Sequence, residues 1–170
     1  MKNPCVAEEV DGELISLCED TVKLVSERMK ELRVADSLEL IMALARRCNK
    51  YIDETMPWAL AKDEAKSDRL KTVLCNLLEG IRIIAVLLSA FMPETSAKIF
   101  EQINSSETDY DTIQKFNSDK EVTVGEATPL FARLDEAKKL EEVAKDMFGE
   151  PEAEKKEEKK DKKEEKKKDK

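Results

Sequence analysis

A proline followed by the chain's single tryptophan, Pro57-Trp58, is the place in these 170 residues where residue type and spacing point most directly to recognition chemistry. Proline cannot continue a helix, and it keeps the residue before it out of the α conformation. The indole is therefore set at a break between two helical patterns, where it either presents a face to a partner or tucks beneath a neighbouring helix. Asn49, Arg46, Arg47, Lys50 and Lys62 flank it in the sequence. An exposed indole with an amide and cations nearby can stack one unpaired base, a contribution of about 1–3 kcal/mol. Bases in RNA loops are read by such stacking, with hydrogen bonds to their edges. Composition alone favours the other role, in which a lone tryptophan fills a core.

Other chemistry finds little support. The chain has no histidine, which removes the commonest general base and the commonest zinc ligand. It has no glycine-rich phosphate loop, no nucleophile elbow and no metal-ligand spacing, so neither catalytic nor metal-binding residues are expected. The acidic pairs Glu8-Glu9, Asp53-Glu54 and Asp63-Glu64 occupy adjacent positions, which do not face each other on a helix. Cys5, Cys18, Cys48 and Cys75 lie far apart with no CxxC pair. At least three of them fall on apolar helical faces, as reduced core thiols do in a cytosolic protein. The longest apolar stretch, Ile83 to Met92, is interrupted by Ser89 and falls short of the roughly 18 residues that a membrane span needs. The N-terminus leads into polar residues, so a cytoplasmic chain with no signal peptide is expected.

The elements that must position the corner are helical. Hydrophobic residues make up 41% and charged residues 40%, with only 4 Gly and 5 Pro, a composition that favours an all-α chain over a sheet protein. Residues 1–12 read as a leader closed by Gly12. From Glu13 to about Arg33, Leu14, Cys18, Val22, Val25, Met29 and Leu32 recur at helical spacing. Asp36 with Glu39 resembles a capping box for a second helix. Its stripe is Leu38, Ile41, Leu44, Ala45, Cys48 and Ile52, with Tyr51 at the edge and Asn49 partly buried. That helix closes before Pro57, and a short helical turn follows from Trp58 to Ala65. Asp68 to Phe91 is the most hydrophobic helix and belongs at the centre. Its Gly80 costs about 1 kcal/mol against alanine, which implies a close neighbour. Pro93 starts a short helix with Ile99, Phe100 and Ile103. Residues 104–120 are turn-rich, with a brief helix near Asp111–Phe116. Residues 122–131 cross in extended form, with Leu130 and Phe131 plugging into the bundle. Asp135 caps a last helix with Ala137, Leu140, Val143 and Met147 inward.

After Gly149 the composition changes. Residues 151–170 hold ten lysines and eight acidic residues, so this stretch carries +2 and residues 1–150 carry −10 of the total −8. So polar a tail cannot bury enough surface to offset its chain entropy and is expected to be disordered. Its interleaved acids weaken a nucleic-acid-arm reading. The acidic body argues against broad phosphate contacts, which need many lysines and arginines. Any nucleic-acid site is therefore small and local.

The run Met42-Ala43-Leu44-Ala45-Arg46-Arg47-Cys48-Asn49-Lys50-Tyr51-Ile52-Asp53-Glu54-Thr55-Met56-Pro57-Trp58-Ala59-Leu60-Ala61-Lys62 closely resembles the anticodon-binding domain of methionyl-tRNA synthetases. Leu88-Ser89-Ala90-Phe91-Met92-Pro93-Glu94-Thr95-Ser96 is similar to the end of that family's next helix, and Pro129-Leu130-Phe131-Ala132-Arg133-Leu134 to its returning segment. The resemblance implies an all-α bundle of about five to six helices appended to a class I catalytic domain. It also implies that Trp58, beside Pro57, stacks on the first anticodon base, the cytosine of CAU. The family's first helix, whose Asn and Arg bond that base, has no match here, and its two ATP-handling signatures are absent.

The expectation is therefore a bundle over residues 13–148 followed by a tail over 149–170. It would be the C-terminal piece of a methionine–tRNA ligase or a split gene product, a monomer on its own. The tRNA anticodon loop is its expected partner, with the catalytic domain in cis or in trans. ATP and methionine would be handled by that catalytic domain, and no cofactor by this chain. The alternative is a non-catalytic helical protein-interaction domain with a charged tether.

Overall fold

The computed structural model describes residues 1–119, 121–131 and 135–149. Among them the chain forms helices α1 (Glu9–Lys30), α2 (Val34–Thr55), α3 (Pro57–Leu60), α4 (Ser67–Leu88), α5 (Pro93–Gln102) and α6 (Glu136–Phe148), with 3-10 turns at Glu64–Lys66 and Tyr110–Ile113. The described residues contain no strand, as the all-α expectation requires. The chain divides into two units, residues 1–130 and residues 131–170, and the expected charged tail lies outside the described residues.

In the first unit α1 packs on α2 and α4, α2 packs on α4, and α5 packs on α4. The core takes Leu14, Cys18, Val22 and Val25 from the stripe read for α1 and Ile41, Leu44 and Cys48 from that of α2, with Val73, Leu77, Ile83 and Ile84 of α4. Leu32, expected to continue the α1 stripe, lies past the end of that helix and is 85% exposed. Helix α4 is buried on most of its circumference from Ile83 to Leu87, as an all-apolar run must be. A Cβ placed on its Gly80 would stand 3.1 Å from Cys48 Sγ and 4.0 Å from Cys18 Sγ. Gly80 is therefore where Cys48 of α2 packs directly on α4, with Cys18 of α1 alongside. Burial pushes the Cys18 thiol far up and the Cys48 thiol up to about 11, so both stay protonated as small hydrophobes.

Two helices start earlier than their apolar patterns do. Helix α1 begins at Glu9, with Glu8 as its N-cap, so Gly12 lies inside its first turn and closes no leader. Glu8 N donates to Asp11 Oδ2 at 2.8 Å, and acidic residues in the first turn favour the positive end of the helix. These local terms outweigh the cost of one glycine, about 1 kcal/mol. Helix α2 begins at Val34, and Asp36 pairs with Arg33 instead of capping.

Residues 105–119 are held by a buried ion pair. Arg82 donates through Nε and Nη2 to Glu79 at 2.8 and 2.7 Å, and through Nη1 to Thr112 Oγ1 at 2.8 Å. Asn117 N donates to Glu79 Oε1 at 3.2 Å. These bonds seat Ile113 and Phe116 in the core. The following stretch, residues 121–129, is neither helix nor strand, and Gly125 N donates to Gln102 O at 2.7 Å. Of the two residues expected to plug it, Leu130 is half-buried while Phe131 is exposed. Both residues lie in a bend of the chain, and only Leu130 is drawn in.

Helix α6 is capped as expected: Asp135 Oδ1 accepts from Lys138 N at 3.4 Å. Leu140, Val143 and Met147, expected inward, are exposed. The cap and the Lys139–Glu142 pair at 2.6 Å specify a helix locally, and periodicity says nothing of what its face meets.

The ends of α2 and α4 meet at a buried polar junction. Asp11 is 2% exposed and accepts from Tyr51 Oη at 2.5 Å, from Arg69 Nη1 and Nη2 at 2.6 and 2.9 Å, and from Glu8 N at 2.8 Å. Arg69 also donates to Val6 O at 2.9 Å and pairs with Glu8 at 3.3 Å. Asn76 Nδ2 donates to Tyr51 Oη at 3.4 Å. Burial raises the Asp11 pKa, but the bonds from Arg69, Tyr51 and Glu8, with the charge of Arg69, outweigh it and hold the carboxyl below its ordinary value of 3.8.

Two outcomes follow for stability. Gly80→Leu lowers the unfolding free energy by about 1–3 kcal/mol through overpacking against Cys48 and Cys18. Urea denaturation measures this, and an unchanged midpoint would contradict the close approach. Because the folded pKa of Asp11 is depressed, its contribution is present above the unfolded value and is lost as pH falls through the folded one. Melting temperature followed downward from about pH 6 therefore drops on the acid side less steeply in Asp11→Asn than in the wild type. The variant is also less stable near neutrality, by about 3–5 kcal/mol, because Arg69 loses its buried partner. Parallel acid limbs would refute the assignment.

Candidate nucleic-acid interface

The corner begins where α2 ends. Met56 adopts a left-handed conformation, φ 45° and ψ 61°, and stops the helix with its N–H still bonded to Ile52 O at 2.9 Å. Pro57 then opens α3 at its first position, where the N–H it lacks would have had no partner. Met56 O accepts from Ala59 N at 2.8 Å, and Pro57 O accepts from Ala61 N at 2.9 Å. The backbone on both sides of Trp58 is thus closed into tight turns. Helix α3 packs on α4, with Leu60 against the core.

Trp58 itself is 54% exposed. The core role that composition favoured is therefore taken by other side chains, and the indole presents a wet face beside Met56, which is 48% exposed. Pro57 is half-buried. Lys62 is exposed and lies four residues past Trp58 across one turn, where its N–H bonds Ala59 O at 3.2 Å.

The cations of α2 divide into two groups. Arg46, Asn49 and Lys50 are exposed, and with Met42 and Asp53 they recur at the spacing of a single helical face. Arg46 folds back on Glu39, and Lys50 reaches Glu54 at 3.3 Å. Asn49, expected to be partly buried, is exposed and leaves its amide on the solvent face of the helix, because the stripe runs through Cys48 and Tyr51 instead. Arg47 is not brought to that face. Its guanidinium donates to Glu54 at 2.9 Å and to Glu13 at 3.2 Å, and stands 6.0 Å over the Tyr51 ring. It belongs to the packing of α1 on α2. Partial burial tends to raise the Glu54 pKa, but hydrogen bonds from Lys50 and Arg47 and their charges hold it below the ordinary carboxylate range.

Of the residues that fix the corner, the sequence places Tyr51 only at the edge of the α2 stripe and does not single out Asp11 or Arg69. Tyr51 is fully buried in the turn before Met56, and Arg69 lies in the first turn of α4. The apolar stripe carried a signal for Tyr51, three residues past Cys48. For Asp11 and Arg69, 58 positions apart, no local signal exists. Among the described residues no group of three or more His, Cys, Asp or Glu could hold a metal ion, and no helix is long and apolar enough to cross a membrane.

An exposed indole at a fixed corner can stack a single base. Comparison with known proteins identifies the family of the domain that carries this corner. The family model described as the anticodon binding domain of methionyl tRNA ligase matches residues 4–151. The methionine–tRNA ligase of Clostridium tetani is 49% identical over 144 residues, covering 84% of this chain and 22% of that protein. The methionine–tRNA ligase of Bacillus subtilis is 38% identical over 144 residues, covering 83% of this chain and 22% of that protein. The apo form of Mycobacterium tuberculosis methionyl-tRNA synthetase superposes with a TM-score of 0.71 at 24% identity, over 79% of this chain and 28% of that one, which shows the shared helical fold. This chain spans about 22% of the length of the curated relatives it matches. With the family model covering nearly all of the bundle, the chain belongs to the anticodon-binding domain family of the methionyl-tRNA ligases.

Proposed function

We propose that this chain is a tRNA anticodon-recognition module in which Trp58, fixed by Pro57, stacks on the first base of a CAU anticodon. The observation that carries this reading is the 54% exposure of the only tryptophan at a proline-locked corner of a chain from this family. Lys62, one turn beyond the indole, supplies a phosphate contact, and Asn49 an amide for a base edge. Arg46 and Lys50 add positive charge along the same face of α2. Arg47 contributes by holding that helix against α1. ATP-dependent joining of methionine to tRNA belongs to the longer protein of which the relatives are examples, with a catalytic domain acting in cis or in trans. The work is cytoplasmic.

Titration of the chain with a CAU anticodon stem-loop, and with a loop altered at its first base, tests the reading. The CAU loop binds more tightly, and Trp58→Ala weakens it by about 5- to 150-fold, the range that loss of one stacked base implies. Helicity is retained in that variant because most of the indole lies outside the core. Lys62→Ala lowers the slope of log affinity against log salt by about 0.7, one phosphate on a single strand. Arg47→Ala lowers the melting temperature. Equal or absent binding of both loops by the wild type would overturn the reading in favour of a protein-docking role for the same surface.

A further inference from the structure

The segment that carries Trp58, from Met56 to Lys66, is suspended between two helix ends, and both ends are tied to the same side chain. Tyr51, in the turn before the corner, donates to Asp11 Oδ1 at 2.5 Å. Arg69, in the first turn after the segment, donates to Asp11 Oδ1 and Oδ2 at 2.9 and 2.6 Å. Asn76 of α4 closes the loop by donating to Tyr51 Oη at 3.4 Å. Tyr51, Asp11, Arg69 and Asn76 are all buried, at 0%, 2%, 6% and 2% exposure. Within the segment the backbone closes short turns on itself at Ala59, Leu60, Ala61, Lys62 and Asp63, and Leu60 touches the core. Trp58, by contrast, is more than half in solvent and cannot set its own position by burial.

We infer that the junction of Asp11, Tyr51 and Arg69 positions Trp58 for its ligand, by fixing the separation and orientation of the two helix ends between which the indole hangs. The inference rests on the stacking role proposed above and names the residues that make that stack ready before RNA arrives. A carboxylate is suited to the task because it accepts bonds from two elements at once, and its acceptor directions are fixed by one planar group. Tyr51, Asp11 and Arg69 touch no ligand in this scheme and are positioning residues. When they are disturbed, the corner samples arrangements in which the indole is misplaced, and the apparent affinity falls by the fraction of molecules still competent.

Because Trp58 is the only tryptophan, its emission reports the corner directly. Tyr51→Phe keeps the ring in the core and removes the hydroxyl from Asp11 and Asn76. Its steady-state tryptophan anisotropy falls and acrylamide quenching rises at unchanged helicity, and the dissociation constant for the CAU stem-loop increases about 3- to 10-fold, as for a competent fraction of about 0.1–0.3. Asn76→Ala removes only the bond into Tyr51 Oη and moves both readouts the same way by less. Val25→Ala, a core truncation in the last third of α1, is the comparison for general destabilisation and leaves both readouts at wild-type values. Wild-type anisotropy and quenching in both Tyr51→Phe and Asn76→Ala would overturn the inference, as would an equal change in Val25→Ala. A wild-type chain that binds no stem-loop would instead sink the anticodon reading, while the anisotropy comparison would still decide the junction.

Discussion

The Asp11 carboxylate is the constraint on which the rest of the first unit's recognition end depends. It is nearly inaccessible to water, yet it accepts bonds from α2 and α4 and from the N-cap of its own helix. Moving such a charge out of water costs several kcal/mol, so a buried pair is weak evidence for stability by itself. What it does supply is direction. An apolar contact between the same three helices would tolerate sliding, whereas a bidentate arginine and a tyrosine hydroxyl on one carboxylate fix distance and angle together. The corner at Met56–Trp58 inherits that geometry because it has almost no core of its own.

The second buried pair, Glu79 with Arg82, performs the comparable task for a different segment. Every N–H of Arg82 is engaged by Glu79, Thr112 or the Glu107 carbonyl, which leaves it no capacity for an anion. Its effect is to seat the polar stretch around Tyr110–Ile113 on α4 and bring Ile113 and Phe116 into the core. Helix α4 thus carries two polar anchors on an otherwise apolar body, one for each irregular segment that packs on it.

Much of this was readable from the chain. The stripes of α1 and α2 named most of the core residues those helices supply, because burial on a helix follows a period that the sequence displays, but Leu32, at the end of the α1 stripe, falls past the helix and is exposed. Gly80 announced a close approach by its cost, and Cys48 is the neighbour. Pro57 announced the corner. What stayed hidden was set by partners distant along the chain. Asp11 and Arg69 are indistinguishable from surface charges in a sequence where such residues are 40% of the total. The start of α1 was masked by Gly12, whose penalty is small beside a reciprocal cap formed four residues earlier by Glu8 and Asp11. For α6, periodicity gave the helix but not its exposure, since amphipathicity requires only that an apolar face exist. For the corner, burial of a lone tryptophan was the better expectation from composition, and the motif around it pointed the other way.

The charge distribution sharpens how the corner can work. Residues 1–150 carry −10, so the body as a whole repels a phosphate backbone instead of steering it. Several cations near the corner are already paired: Arg46 with Glu39, Arg47 and Lys50 with Glu54. Long-range attraction of the kind that drives non-specific binding is therefore unavailable to this surface. Discrimination must rest on short-range contacts to very few nucleotides, with stacking as the main favourable contribution. A contact that small cannot offset the cost of ordering a mobile loop on binding. On the proposed reading, an acidic domain that reads one base through one indole needs that indole held beforehand, and the buried carboxylate beneath the corner is the part of the structure that can hold it.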